Sequence, residues 1–247
     1  MLRYVVIALL AGVAGCVAPR SGQAPAPSTA VLLPGSRLLS PPPLTGETHH
    51  LLVQIRAPRD TAERMMGATT RTIGVVSSTA DRLRVTSTWD PPYVSIDTVI
   101  LGARTLAPEE ESLRYNGYTR VYRYAGHRVW GTVQHADSAP RAFDRTFSEP
   151  VFAFSEVELL VRSLPFTPGE SRIVPLFSES DEAVEHDTIT IVMRDTVRRG
   201  GPAWIVRFAD PAIVSAYTIG AASRAILATE TRQRRTGAVL RYVESAR

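Results

Sequence analysis

The sequence predicts a mainly β protein: one curved antiparallel meander, half-barrel-like, carrying a single short amphipathic helix. Beyond residue 48, polar and apolar residues alternate with period two in a dozen short runs rich in β-branched and aromatic side chains, the pattern of strands with one face on a core. Turn residues separate the runs at Gly102, Gly126, Gly200-Gly201, Asp210-Pro211 and Gly237. Neighbours this close pair antiparallel, because a parallel return needs a crossover of about a dozen residues or more. One segment only, SEVELLVRSLPF, has helical spacing.

The chain opens with MLRYVVIALLAGVAGC, and Cys16 is its only cysteine. Arg3, an apolar run from Tyr4 to Leu10 and small residues up to Gly15 make a secretory signal layout over residues 1–15. The run is shorter than the roughly 20 apolar residues of a membrane span. The quartet Val13-Ala14-Gly15-Cys16 resembles the lipobox of bacterial lipoproteins. That resemblance implies a lipid on Cys16, cleavage before it, and attachment to a membrane without spanning it. Each buried CH₂ of an acyl chain contributes about 0.8 kcal/mol, so several chains anchor firmly. Val17 stands where an acidic residue would retain a lipoprotein at the inner membrane, so the resemblance further implies the cell envelope, at the outer membrane facing the periplasm.

Residues 16–47 form a tether behind that anchor. Pro19, Pro25, Pro27, Pro34 and Pro41-Pro42-Pro43 keep it extended, and it has too little apolar surface to fold alone. Its apolar pieces, Val31 to Leu33 and Leu38-Leu39, are exceptions that can dock on the domain. Residues 48–247 are the β domain. No cysteine is left for a disulfide, so its core alone must hold it.

Within the domain, HHLLVQI, RTIGVVSS, DRLRVTSTW and YVSIDTVIL read as the first strands. YTRVYRY and HRVWGTV form a hairpin about Gly126-His127, since glycine first in a two-residue loop suits a type II′ turn. That register sets Ala125 opposite Arg128, Tyr124 beside Val129, and Tyr122 over Gly131, an aromatic covering a strand glycine. The helix comes next. Ser155 and Glu158 make a capping box, Arg162 suits the last turn, and Val157, Leu160, Val161 and Leu164 share one face. RIVPLF, DTITIVMR, AWIVRFA, AYTIG, AILATETR and AVLRYVE complete the sheet.

Several chemistries need residues this chain lacks. All 28 basic residues are arginine, so no lysine is present for a Schiff base, a phosphate-binding loop or a Ser-Lys dyad. No G-x-S-x-G, H-E-x-x-H or G-x-G-x-x-G stretch occurs. His49 and His50 are adjacent and point to opposite faces of a strand, and the acidic run SESDEAVEHD lacks the spacing and glycine of a calcium loop. No catalytic residue, metal or cofactor is assigned, and the chain is read as non-enzymatic. The arginines are scattered over a net charge of +4, which reads as a solvated surface and not as a nucleic-acid interface.

A strongly twisted sheet of about ten strands tends to curl. One helix then covers only part of its concave face and leaves an apolar trough. Core packing is the default for every aromatic; candidates to line the trough are Trp89, Tyr122 and Trp204 on strands, with Val157 and Leu160 on the helix.

The helix before Leu164-Pro165-Phe166-Thr167-Pro168-Gly169, Asp97 followed by Thr105-Leu106-Ala107-Pro108, and Tyr217-Thr218-Ile219 leading into Ser223-Arg224-Ala225-Ile226-Leu227 resemble uncharacterised exported proteins. These look like distant relatives of the outer-membrane lipoprotein carrier and receptor superfamily, over residues 90–243. The resemblance implies a half-barrel that binds a lipid or acyl chain. The alternative is a structural or protein-interaction lipoprotein, with a filled core and an envelope protein as partner.

Overall fold

The computed structural model describes residues 30–42, 46–76, 81–178, 181–196 and 201–245 of the chain. The signal segment, Cys16 and the first half of the tether lie outside them. Sixteen strands form one curved sheet that does not close. In chain order they are β1 (Ala30–Val31), β2 (Glu47–Arg56), β3 (Arg64–Val75), β4 (Arg82–Trp89), β5 (Ser95–Gly102), β6 (Pro108–Tyr115), β7 (Tyr118–Ala125) and β8 (Arg128–Gln134). After β9 (Arg141–Thr146) and β10 (Phe152–Ala153) comes the helix α1 (Val157–Ser163). The remaining strands are β11 (Ser171–Ser178), β12 (Ala183–Asp195), β13 (Ala203–Ala209), β14 (Ile213–Gly220), β15 (Ile226–Gln233) and β16 (Val239–Glu244).

The antiparallel meander is made in two halves. β2 to β9 run as one and β11 to β16 as another, and β16 pairs antiparallel with β2 to fuse them mid-sheet. β1 and β10 lie parallel along the free edge of β11, opposite Arg172-Ile173 and Leu176-Phe177. Side chains bridge the two ends of the curl. Phe177 of β11 meets Tyr122 of β7 edge-on at 5.0 Å between ring centroids, and Arg141 of β9 pairs with Glu182.

The β7–β8 hairpin has the expected register: Ala125 faces Arg128, Tyr124 faces Val129 and Tyr122 faces Gly131. Gly126 has φ +57°, the left-handed value its place in the loop demands. A Cβ on Gly131 would lie 1.8 Å from the Val121 carbonyl oxygen, so no other residue fits there. Two strands escape the period-two reading, β6 (PEEESLRY) and β9 (RAFDRT), because charges occupy half of their positions.

The tether's apolar pieces do dock. Leu32 and Leu39 are buried in the core, the Leu32 N–H donates to the Ile173 carbonyl at 2.8 Å, and packed structure thus begins upstream of residue 48.

The helix starts differently from the expected Ser155–Glu158 box. A 3₁₀ turn, Phe154–Glu156, leads into α1, and Glu156 accepts a 2.7 Å hydrogen bond from the Ala153 N–H. Ser155 and Glu158 have stronger calls on them from the sheet: the Ser155 hydroxyl donates to Glu111 on β6, and Glu158 pairs with Arg71 on β3. Arg162, 3% exposed, donates twice to Glu47 at 2.9 Å and once to the Arg224 carbonyl at 2.7 Å. Leu159, Leu160, Val161 and Leu164 are buried among Val99, Leu101, Val206 and Ile219. The helix is therefore bolted to the sheet at both ends and packed along its length.

Candidate functional site

Strand register places His49, Arg71, Ser87 and Asp97 opposite one another on β2, β3, β4 and β5. They make a polar row across the concave face. His49 lies 3.2 Å from both Glu47 and Glu244. Arg71 pairs with Glu158 and donates to the Ser155 carbonyl at 3.3 Å, which ties the start of α1 to the sheet. Asp97 is pushed up to about 7, first by burial and then by the charge of Glu111; Arg120, Arg71 and the Thr98 N–H pull it back only in part. Glu111 is itself 1% exposed and takes hydrogen bonds from Tyr124 at 2.7 Å and from Ser155.

Beside this row the interior opens into a trough of about 340 Å³, at the lower end of the range of small-molecule sites. Its apolar wall comes from Trp89, Phe154, Val157, Phe208, Ile213 and Leu240. Hydroxyls of Thr69, Ser87, Ser215, Thr229 and Thr231 form much of the remainder. These hydroxyls do not all await a ligand. Ser215 and Thr231 bond each other at 2.8 Å, and Thr69 donates to the Thr88 carbonyl at 2.9 Å. With its polar capacity partly spent inside the sheet, such a surface asks less of water and accepts an apolar guest more readily. Trp89 is held edge-on to Tyr242 at 6.3 Å, and Phe154 edge-on to Phe208 at 6.0 Å. Phe154 remains 44% exposed although large and apolar, which marks it as the open lip of the trough.

Of the five residues read from sequence as candidate lining, Trp89 and Val157 border the trough. Tyr122 and Leu160 are fully buried in the core, Tyr122 among Phe143 and Phe177. Trp204 packs on Phe166 at 5.3 Å, with the Arg194 guanidinium 5.9 Å from its ring centre. The structure thus brings two of the five together and disperses three. What sequence reasoning missed is the hydroxyl lining. An inward threonine or serine at period two reads as an outward polar residue unless the strand's facing is already known.

Among the described residues, no three His, Cys, Asp or Glu side chains gather closely enough to hold a metal, and no helix is long and apolar enough to cross a membrane. Comparison with family models, curated proteins and solved structures finds no match for this chain.

Proposed function

We propose that this chain is a lipid-anchored protein of the bacterial envelope, held through Cys16 at the outer membrane, whose β domain binds a lipid or acyl chain without catalysis. The observation that carries the reading is the trough: an apolar wall with an exposed aromatic lip, set against hydroxyls of which Thr69, Ser215 and Thr231 bond within the sheet. The polar row adds charged groups to the lining: Arg71, already joined to Glu158, and Asp97. The resemblance to the lipoprotein carrier and receptor superfamily belongs to the same proposal.

The alternative, a structural or interaction protein, draws on the helix, whose core side is completely buried and cannot lift without exposing Leu159, Leu160 and Val161. On either reading the helix is a fixed partition, with one face in the core and Val157 on the trough. Extraction of lipids that co-purify with the protein, followed by mass spectrometry, tests the choice. A stoichiometric acyl species supports ligand binding; a lipid profile identical to that of an unrelated lipoprotein leaves the structural role.

A further inference from the structure

A second cavity, about 580 Å³, adjoins the trough, and its lining is of opposite character. Four carboxylates border it: Asp181, Glu185, Asp187 and Asp210, against a single guanidinium, Arg120. Three come from the acidic stretch of the sequence. The fourth arrives through the β13–β14 turn, where Asp210 also accepts from the Ala212 and Ile213 N–H groups at 2.5 and 2.6 Å.

Asp187 distinguishes this cavity from a solvated acidic patch. It is 2% exposed, and its Oδ1, fully shielded from solvent, accepts no hydrogen bond. A buried carboxylate oxygen left this way costs free energy unless a proton or a cation meets it. Burial first, then the charges of Asp210 and Glu185, push the group up to about 7, and His186 opposes them only weakly. The four acids do not converge on one point, since no three of them can share a metal ion. A cation whose charge is spread over several ångströms suits acids placed apart in this way.

The two cavities share Phe154, and the same β13–β14 connection borders both: Phe208 and Ile213 face the trough, Asp210, Pro211 and Ala212 the acidic cavity. Tyr118 and Phe177 add two more aromatic rings on the acidic side. Aromatic faces beside carboxylates are the surroundings that hold organic ammonium groups. We propose that the acidic cavity receives the ammonium head of an amphiphile whose tail lies in the trough, with Asp187 and Glu185 meeting the charge and Phe154 packing at the junction of head and tail. This rests on the trough being a ligand site.

The test uses the full chain carrying Cys16→Ser, so that no acyl anchor competes, and calorimetric titration with three single-chain probes of equal length: decyltrimethylammonium, decanol and decanoate. The ammonium probe is expected to bind about tenfold more tightly than decanol, and decanoate more weakly than either. Asp187→Asn, nearly isosteric and free of like-charge repulsion, should erase the preference for ammonium and leave decanol affinity unchanged. Glu185→Gln should reduce that preference as an independent check. Equal affinity for ammonium and alcohol, or a preference that survives both substitutions, overturns the head-group assignment while leaving the trough intact. Binding of none of the three probes overturns the trough itself, and the head-group assignment with it.

Discussion

Leu160→Ala separates a fixed helix from a movable one. Leu160 is completely buried at the centre of α1, against strands whose backbone ladders hold them in place. The substitution removes three carbons, about 2.4 kcal/mol of lost transfer free energy at roughly 0.8 kcal/mol each. Because the surrounding strands cannot close on the vacated space, a cavity term adds to this, for a total of about 3 to 5 kcal/mol. For a domain of this size, each kcal/mol moves the melting temperature by roughly 2 to 4 °C, so a fall on the order of 10 °C is expected. The assay is thermal and urea unfolding of the two proteins, with and without a fluorescent fatty acid.

Val157→Ala is the matching control, since Val157 borders the trough. Its stability cost should be smaller, and its effect on probe affinity larger, than those of Leu160→Ala. A cost below about 1 kcal/mol for Leu160→Ala, far under the usual range for a buried leucine, would mean that the helix is loosely held. So would a change in probe affinity as large as that of the control. Either outcome refutes the fixed partition.

Gly131→Ala forces a methyl group to within 1.8 Å of a backbone oxygen and should prevent the β7–β8 pairing, whereas Gly74→Ala, with nothing within 4 Å of its Cβ, should be tolerated; equal melting temperatures for the two would contradict the strand packing. Asp97, Asp187 and Glu156 all lie above their ordinary values, chiefly through burial, so the native state holds more protons than the unfolded chain and stability should fall as pH rises from about 4 to 7, by at most roughly 1.4 kcal/mol per pH unit for each group. Glu47 opposes this only below its unfolded value: burial raises it, but Arg162 and His49 outweigh the burial and bring it down. Urea midpoints at pH 5 and 7.5 check the sign, Asp97→Asn should flatten the difference, and a midpoint that increases with pH would refute it. Cys16→Ser should abolish incorporation of labelled fatty acid, and equal labelling of both chains would remove the anchor.

Legibility followed the physics of alternation. The β7–β8 hairpin could be read to the residue because alternating aromatics, a loop glycine and a strand glycine all demand one register. β6 and β9 could not, since Glu109, Glu110 and Glu111 in one and Arg141, Asp144 and Arg145 in the other mask the period. The helix was visible from the spacing of Val157, Leu160, Val161 and Leu164, but its cap was not. Glu156 outcompeted Ser155 because tertiary partners on β3 and β6 engaged Ser155 and Glu158. Aromatic content pointed to Trp89 as trough lining and equally to Tyr122, which lies in the core. Which of two inward aromatics meets a cavity depends on where the helix stops, and that is a tertiary fact.

Where it stops follows from how inward residues change along three adjacent strands. At one level Ile73, Val85 and Val99 stand opposite one another, all buried. Two residues away along the same strands the row becomes Arg71, Ser87 and Asp97, and beyond it Thr69 faces Trp89. An amphipathic helix releases free energy only over the apolar level, so Leu160 and its neighbours settle there, and the Arg71–Glu158 pair marks the border. Past that border the inward residues are arginine, serine, aspartate and threonine, which give the helix no continuous apolar surface to pack on, so burial there stabilises it far less than over the aliphatic level. The trough is thus not a packing defect that a larger side chain on the helix would repair. It lies where the sheet's own inward pattern turns from branched aliphatic to hydroxyl and charge.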